Sequence, residues 1–271
     1  MTNKQLLNKM KNDMRMRNFS HYTYDSYLEK TKAIMKYFGE KKLEDVTTEE
    51  LRRFLLKYLK DERKLGDRSI NYYNSVIRFI YEVTLDKVLN KKQIPMRKQK
   101  KCVYKVLTKE ELSTFFNVCD NFKFKTIFML VYGSRLRIGE VANLRVEDID
   151  GKNMRIFVRE GKGNKERYTI LPKHSLEMLR TYWSKYRQNK RIGRIFLSES
   201  GKAITVGVIR EHFRKYRRKA RLNEKVTVHT LRHCFATDLI ERGATLIQVK
   251  ELMGHSNIRS LYNEMKEFAI V

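Results

Sequence analysis

Five side chains in the C-terminal half of the chain carry a fixed charge or a movable proton in distinctive surroundings. Arg137 lies in Tyr-Gly-Ser-Arg-Leu-Arg-Ile-Gly-Glu (132–140), and Lys162 in Gly-Lys-Gly-Asn-Lys-Glu-Arg (161–167). His229 and Arg232 belong to His-Thr-Leu-Arg-His (229–233), His255 to Leu-Met-Gly-His-Ser (252–256), and Tyr262 follows. Two arginines, a lysine and two histidines suit a transition state that is a negatively charged phosphate. Breaking a phosphodiester without a metal needs fixed cations for the nonbridging oxygens, a positioned nucleophilic oxygen and a proton for the leaving alkoxide. Arginine fits the first task, because its planar fork holds two oxygens and stays protonated. Tyrosine fits the second, since its phenolate can later leave again. Its free pKa near 10 requires help in losing the proton. A lysine on a hairpin fits the third.

Local spacing says how each group would be presented. Arg137 follows a Gly-Ser turn and opens a helix, where anions bind readily. Glu140, three residues on, shares its face and is placed to orient it. His229 and Arg232 are spaced i, i+3 at a helix start and point one way. Lys162 sits at a glycine-flanked hairpin tip, with Lys165 as its rival and a candidate backbone-phosphate contact. None of these spacings is specific alone. An Arg-x-x-Glu is usually a surface ion pair, and a turn lysine is usually solvated. His233 and Cys234 read as structural neighbours of the second motif.

The elements that must position these groups follow from periodicity. Only two prolines and 12 glycines punctuate 271 residues, so long helices are expected. Residues 20–38 carry Tyr24, Tyr27, Leu28, Thr31, Ile34, Met35 and Phe38 at helical spacing. Thr47 and Glu50 form a capping-box pattern before Leu51, Phe54, Leu55, Tyr58 and Leu59. A third helix runs from about Ser69. Residues 90–105 include Pro95 and many basic residues without an acid, and read as an exposed linker or a basic strap across a DNA backbone, with Arg97, Lys98, Lys100 and Lys101 as candidate DNA contacts. A second helix start lies at Thr108, an apolar helix at 124–132 and a further one at 138–145. Asn153–Arg159 alternates as a strand with Met154, Ile156 and Val158 on one side. Gly161–Asn164 is its turn and Arg167–Leu171 its return. Helical patterns resume at 173–187, 205–220, 230–242 and 245–253. The fold class is mainly α, with one small antiparallel sheet in the second half.

Composition narrows the partner. Lys and Arg number 59 against 31 Asp and Glu, a formal charge of +28. Such an excess repels itself unless a polyanion shares the surface, and nucleic acid is the natural one. The bland alternative is a lysine-rich solvated surface. Cys102, Cys119 and Cys234 fit neither a metal-ligand spacing nor a disulfide framework, so no metal is expected. The sequence shows no signal-peptide run or membrane-length apolar segment. A reducing bacterial cytoplasm, next to the nucleoid, is the expected location.

Taken in order, these motifs resemble those of the tyrosine recombinase (phage integrase-like) family. The arginine string 132–150, the lysine hairpin, His-Thr-Leu-Arg-His-Cys-Phe-Ala-Thr-Asp-Leu-Ile-Glu-Arg-Gly and Val249–Ile258 carry the likeness, over about residues 105–260. The resemblance implies a helical core-binding (SAM-like) domain at 1–90, a linker at 91–105 and an α+β catalytic domain at 106–271. It implies a site-specific recombinase acting on double-stranded DNA as a tetramer, without cofactors. Tyr262 would form a 3′-phosphotyrosyl link, Arg137 and Arg232 hold the nonbridging oxygens, and His229 and His255 support proton transfer. Lys162 would protonate the leaving 5′ oxygen. Two departures stand out. Arg135 occupies a position where the family usually has a small residue, often Gly. The family places its tyrosine nine residues after the last histidine, where this chain has Glu264, while Tyr262 arrives at seven. Either two loop residues are missing and Tyr262 still reaches the phosphate, or the C-terminal segment is replaced and the protein binds recombination sites without cleaving. The tail beyond Tyr262 is also shorter than the helix many relatives exchange between subunits.

Overall fold

The computed structural model describes residues 1–99, 106–159, 166–187, 193–241, 243–245 and 247–248. The chain divides into two compact units, Met1–Lys101 and Cys102–Val271, each with its own hydrophobic core.

The first unit is helical. Helix α1 (Asn3–Met16) opens on a capping box between Thr2 and Gln5 and buries Leu6, Met10 and Met14, which recur every fourth residue. Helix α1 lies ahead of the first helix that periodicity marks, at residue 20. The helix buries only these three side chains, so its apolar stripe is narrow and its polar residues mask the period. Helix α2 (His21–Phe38) lies against α1, and the Thr31 hydroxyl donates to the Tyr27 carbonyl at 2.8 Å and meets the Met10 sulfur at 3.3 Å. Helix α3 (Thr48–Arg53) starts at the expected Thr47–Glu50 capping box and runs on as a π-helix over Phe54–Glu62. Helix α4 (Asp67–Arg78) continues in the same way over Phe79–Thr84. Phe54 packs edge-on to Tyr73, and Tyr27 edge-on to Phe79, so the aromatic residues of this unit are largely core.

Within the stretch that composition reads as an exposed linker, residues 94–97 are tied to α4, while Lys91–Gln93, Pro95 and Met96 are exposed. Ile94 is 2% exposed. The Asn71 side-chain amide donates to the Arg97 carbonyl (2.9 Å) and accepts from the Arg97 N–H (2.8 Å). Asn74 donates to the Pro95 carbonyl at 3.1 Å, and the Arg78 guanidinium to that of Ile94 at 2.9 Å. Side chains of α4 thus satisfy a backbone that has no regular partner of its own. Charge counting cannot reveal this, because two of the groups doing the holding are neutral amides on a distant helix.

The second unit surrounds α6 (Phe122–Gly133), whose start is capped by Asn121 and whose side chains are buried on nearly every face. Helix α5 (Lys109–Asn117) begins at the expected Thr108–Glu111 capping box. Helix α7 (Ile138–Asn143) follows α6 after a tight turn. Three antiparallel strands come next: β1 (Ile149–Asp150), β2 (Arg155–Val158) and β3 (Arg167–Ile170), in that order across the sheet. Ile156 pairs with both Ile149 and Thr169, and Val158 with Arg167. Strand β1 was not foreseen, being only two residues long. Met154 was expected to face inward with Ile156 and Val158, but it has φ of 51° and is exposed, a turn residue before the strand. The expected hairpin turn at 161–164 lies outside the described residues, as does most of the expected 245–253 helix. Helix α8 (Lys173–Thr181) extends as a π-helix over Tyr182–Tyr186, and α9 (Val206–Lys219) and α10 (Val228–Glu241) complete the unit. Phe115, Phe128 and Phe213 pack with ring centroids 5.0–5.5 Å apart.

Among the described residues no helix is long and apolar enough to cross a membrane, and no group of three His, Cys, Asp or Glu is placed to hold a metal ion.

Met10 is fully buried at the centre of α1. Met10→Ala is expected to cost about 2–5 kcal/mol of stability, read as a lower denaturant midpoint. An unchanged midpoint would show that α1 is dispensable to the core.

Candidate active site

The turn between α6 and α7 is fixed residue by residue. A side chain at Gly133 would meet Pro172 Cγ and Ser175 Oγ at 3.2 Å, so a larger residue there would have to push α8 and Pro172 aside by a few tenths of an ångström. The Ser134 carbonyl accepts from Thr169 Oγ1 of β3 at 2.8 Å. Arg135 has φ of 50°, a left-handed conformation that costs a non-glycine residue about 1–2 kcal/mol. Leu136 is fully buried and Arg137 is the N-cap of α7.

Glu140 closes the start of α7. One carboxylate oxygen accepts the Arg137 N–H at 2.7 Å, and the other accepts Arg137 Nη1 at 2.8 Å. Arg167, the first residue of β3, donates from Nη1 and Nη2 to the same two oxygens at 2.9 Å each. The Glu140 side chain is only 7% exposed. Burial by itself would raise its pKa. The Arg167 fork, then the Arg137 N–H and guanidinium, outweigh that and hold it at about 2. The expected Arg137–Glu140 contact is therefore present, but in a three-way arrangement with Arg167. In sequence Arg167 marks only the start of a strand.

Arg232 comes to the same turn from α10. Its guanidinium Nη1 donates to the Arg135 carbonyl, and Arg135 Nε donates back to the Arg232 carbonyl at 3.2 Å. Both side chains are buried, Arg135 at 1% and Arg232 at 5% exposed. Helix α10 is seated by Val228, Leu231, Cys234 and Phe235, the last meeting Tyr132 of α6 edge-on at 5.9 Å. The Cys234 thiol accepts the Leu107 N–H at 3.4 Å, and burial pushes it up to about 11, so it is a core group and no nucleophile at neutral pH.

His229, one turn before Arg232, is exposed at the start of α10. Its pKa lies below the ordinary value, first through loss of hydration on its packed side, then through the positive charges of His233, Arg232, Arg137 and Arg210. The shift disfavours the imidazolium form beside two arginines. Arg210, on the exposed face of α9, was not singled out in the sequence. Its signal was the buried Ile209–Phe213–Tyr216 stripe, which turns Arg210 and Arg214 outward.

Arg137, His229 and Arg232 are thus brought together from two segments nearly a hundred residues apart. Lys162, His255 and Tyr262 lie outside the described residues, as do Lys100, Lys101 and Lys165. In the first unit, Lys98 is exposed, whereas Arg97 is paired with Asp67 at 2.6 Å.

The phage integrase family model matches residues 105–265, more than half of the chain, and the phage integrase N-terminal SAM-like domain model matches residues 6–91. The chain belongs to the tyrosine recombinase, or phage integrase, family. A putative integrase/recombinase of Sinorhizobium fredii is 33% identical over 255 residues, covering 93% of this chain and 81% of the relative. Tyrosine recombinase XerA of Pyrococcus horikoshii is 33% identical over 210 residues, covering 76% and 72%. A lambda integrase dimer bound to a COC′ core site shares the fold of this recombinase with a TM-score of 0.77 at 18% identity, covering 97% of this chain and 77% of that one.

Two measurements test the electrostatics. The Glu140 pKa is depressed from 4.5, so its ion pairs stabilise the fold fully above about pH 4.5 and are lost as pH falls towards 2. Glu140→Gln is expected to flatten the acid limb of the stability profile by on the order of 3 kcal/mol. An acid limb identical to the parent's would refute the pairing. Removing a neighbouring cation favours imidazolium, so Arg137→Ala should raise the His229 pKa in an NMR titration. A fall would contradict the arrangement.

Proposed function

We propose that this family member cuts and rejoins duplex DNA at specific sites through a 3′-phosphotyrosyl intermediate. The observation that carries the reading is the convergence of Arg137, Arg232 and His229 at the α6–α7 turn and the start of α10. In this scheme the two guanidiniums bind the nonbridging oxygens of the scissile phosphate. The Tyr262 oxygen forms a bond to phosphorus as the bond to the 5′ oxygen breaks, and the phenolic proton passes to a histidine, His229 or His255. Lys162 gives a proton to the leaving 5′ oxygen. Rejoining runs the same steps backwards, with the 5′ hydroxyl attacking and Tyr262 leaving. The phosphotyrosyl link keeps the energy of the broken bond, so the scheme calls for no metal or nucleotide.

Glu140 is the group that makes the arginine pair workable. It holds the Arg137 guanidinium in one rotamer before substrate arrives, so less ordering remains to be done on binding. The exposed cations of α9, Arg210 and Arg214 among them, extend the positive surface for neighbouring phosphates, and Lys98 and the linker lysines Lys100 and Lys101 do so from the first unit. Lys165, near Lys162 in sequence, takes a backbone phosphate. Arg97 joins this surface only by exchanging its Asp67 partner for phosphate. The working assembly is a tetramer on DNA in the bacterial cytoplasm, with residues 1–90 clamping the duplex, 91–105 crossing it and 106–271 holding the chemistry.

The test is covalent trapping on duplex DNA from the protein's own genomic flanks, nicked near the presumed site. A denaturation-resistant adduct that disappears in Tyr262→Phe is the expected result. Arg137→Ala should slow single-turnover adduct formation by on the order of 10²–10³. Tight, salt-sensitive binding with no adduct in the parent would instead identify a site-occupying protein that does not cleave.

A further inference from the structure

We propose that Arg135 is a positioning residue for Arg232, which fixes the second phosphate-binding arginine from behind. The inference rests on the role assigned above to Arg232, and goes beyond it by naming what holds that side chain. Arg135 holds a left-handed backbone, with φ of 50°, which glycine would adopt without strain. A strained, buried, charged side chain at such a position persists only when its surroundings hold it there. What holds it is reciprocal: Arg135 Nε donates to the Arg232 carbonyl at 3.2 Å, and the Arg232 guanidinium donates to the Arg135 carbonyl.

The exchange has a directional consequence. A guanidinium is a rigid plane, so binding one of its N–H groups to a fixed carbonyl sets the bearing of the whole fork. The carbonyl here is fixed, because its turn is pinned on either side. Gly133 is pressed against Pro172 and Ser175, the Ser134 carbonyl is held by Thr169, and Arg137 is held by Glu140. The Arg135 side chain adds the return hold on α10. Arg232 is therefore gripped through its side chain and its main chain by one residue, which is itself two positions from Arg137. The distance between the two phosphate-binding arginines is set by this grip, and not by the packing of α10 on α6 alone.

Arg135→Gly keeps the backbone conformation and removes the Nε donor, and Arg135→Lys restores a donor without the fork. Each is compared with the parent in three readouts: duplex affinity, adduct formation on the nicked genomic-flank DNA, and the Nε–Hε NMR signal of Arg232. Relief of the left-handed strain should leave Arg135→Gly folded, with duplex affinity within about twofold of the parent, since the whole basic surface carries it. Adduct formation should slow by about 10- to 100-fold, as expected for a misplaced binding group. The Arg232 signal should shift or broaden, and Arg135→Lys should recover part of both losses. A purely structural role would lower stability and affinity together and leave the rate of bound complexes unchanged. Parent-like adduct formation with an unaltered Arg232 signal in Arg135→Gly overturns the proposal. If the parent itself forms no adduct, the cleavage reading falls, and the Arg232 signal alone decides: a shift in Arg135→Gly upholds the positioning role, and an unaltered signal overturns it.

Discussion

One buried carboxylate makes the cationic centre of the second unit possible. Like charges at contact distance repel strongly in a poorly hydrated site, and two guanidiniums would separate if nothing lay between them. Glu140 lies between Arg137 and Arg167 and gives each a bond to the same oxygen. It also binds the Arg137 N–H, so one side chain serves as counter-ion, helix cap and rotamer lock. Because Arg167 starts β3, the same carboxylate ties the sheet to α7. The chemistry-bearing turn is thereby referenced to the sheet as well as to the helices.

Around that anion the fold is a device for bringing two short segments to one place. Helix α6 is the common support: it ends in the Arg135–Arg137 turn, and α10 packs along it with Arg232 and His229 at its start. The tight space at Gly133 and the aromatic packing of Phe115, Phe128 and Phe213 both involve α6 and its immediate neighbours. Rigidity there limits how far the arginines can drift apart. The same packing lowers the proton affinity of His229, through lost hydration and through the nearby positive charges, so position and proton affinity are two outcomes of one arrangement.

Much of this was legible in the sequence, and the unread parts share a physical cause. Capping boxes at Thr47 and Thr108 and the apolar run 124–132 placed their helices, because caps and stripes are local signals. The Arg137–Glu140 contact was readable for the same reason, being three residues apart on one helix. What escaped depends on partners distant in sequence. Arg167 looks like any strand residue until Glu140 lies across from it. Asn71 and Asn74 look like surface amides until residues 94–97 return to them. Helix α1 escaped for the opposite reason: its signal is local but narrow, with three methionine and leucine side chains carrying the whole buried face.

The clasp between Arg135 and Arg232 spans 97 positions. Contacts of that separation form only after the intervening chain has lost most of its freedom, so they belong to the last steps of folding. A nascent or partly folded chain already carries its full positive charge, while its two arginine motifs are still apart. The order of assembly thus separates charge from geometry: an incomplete chain has its cations before it has the arrangement that Glu140 and the clasp impose on them.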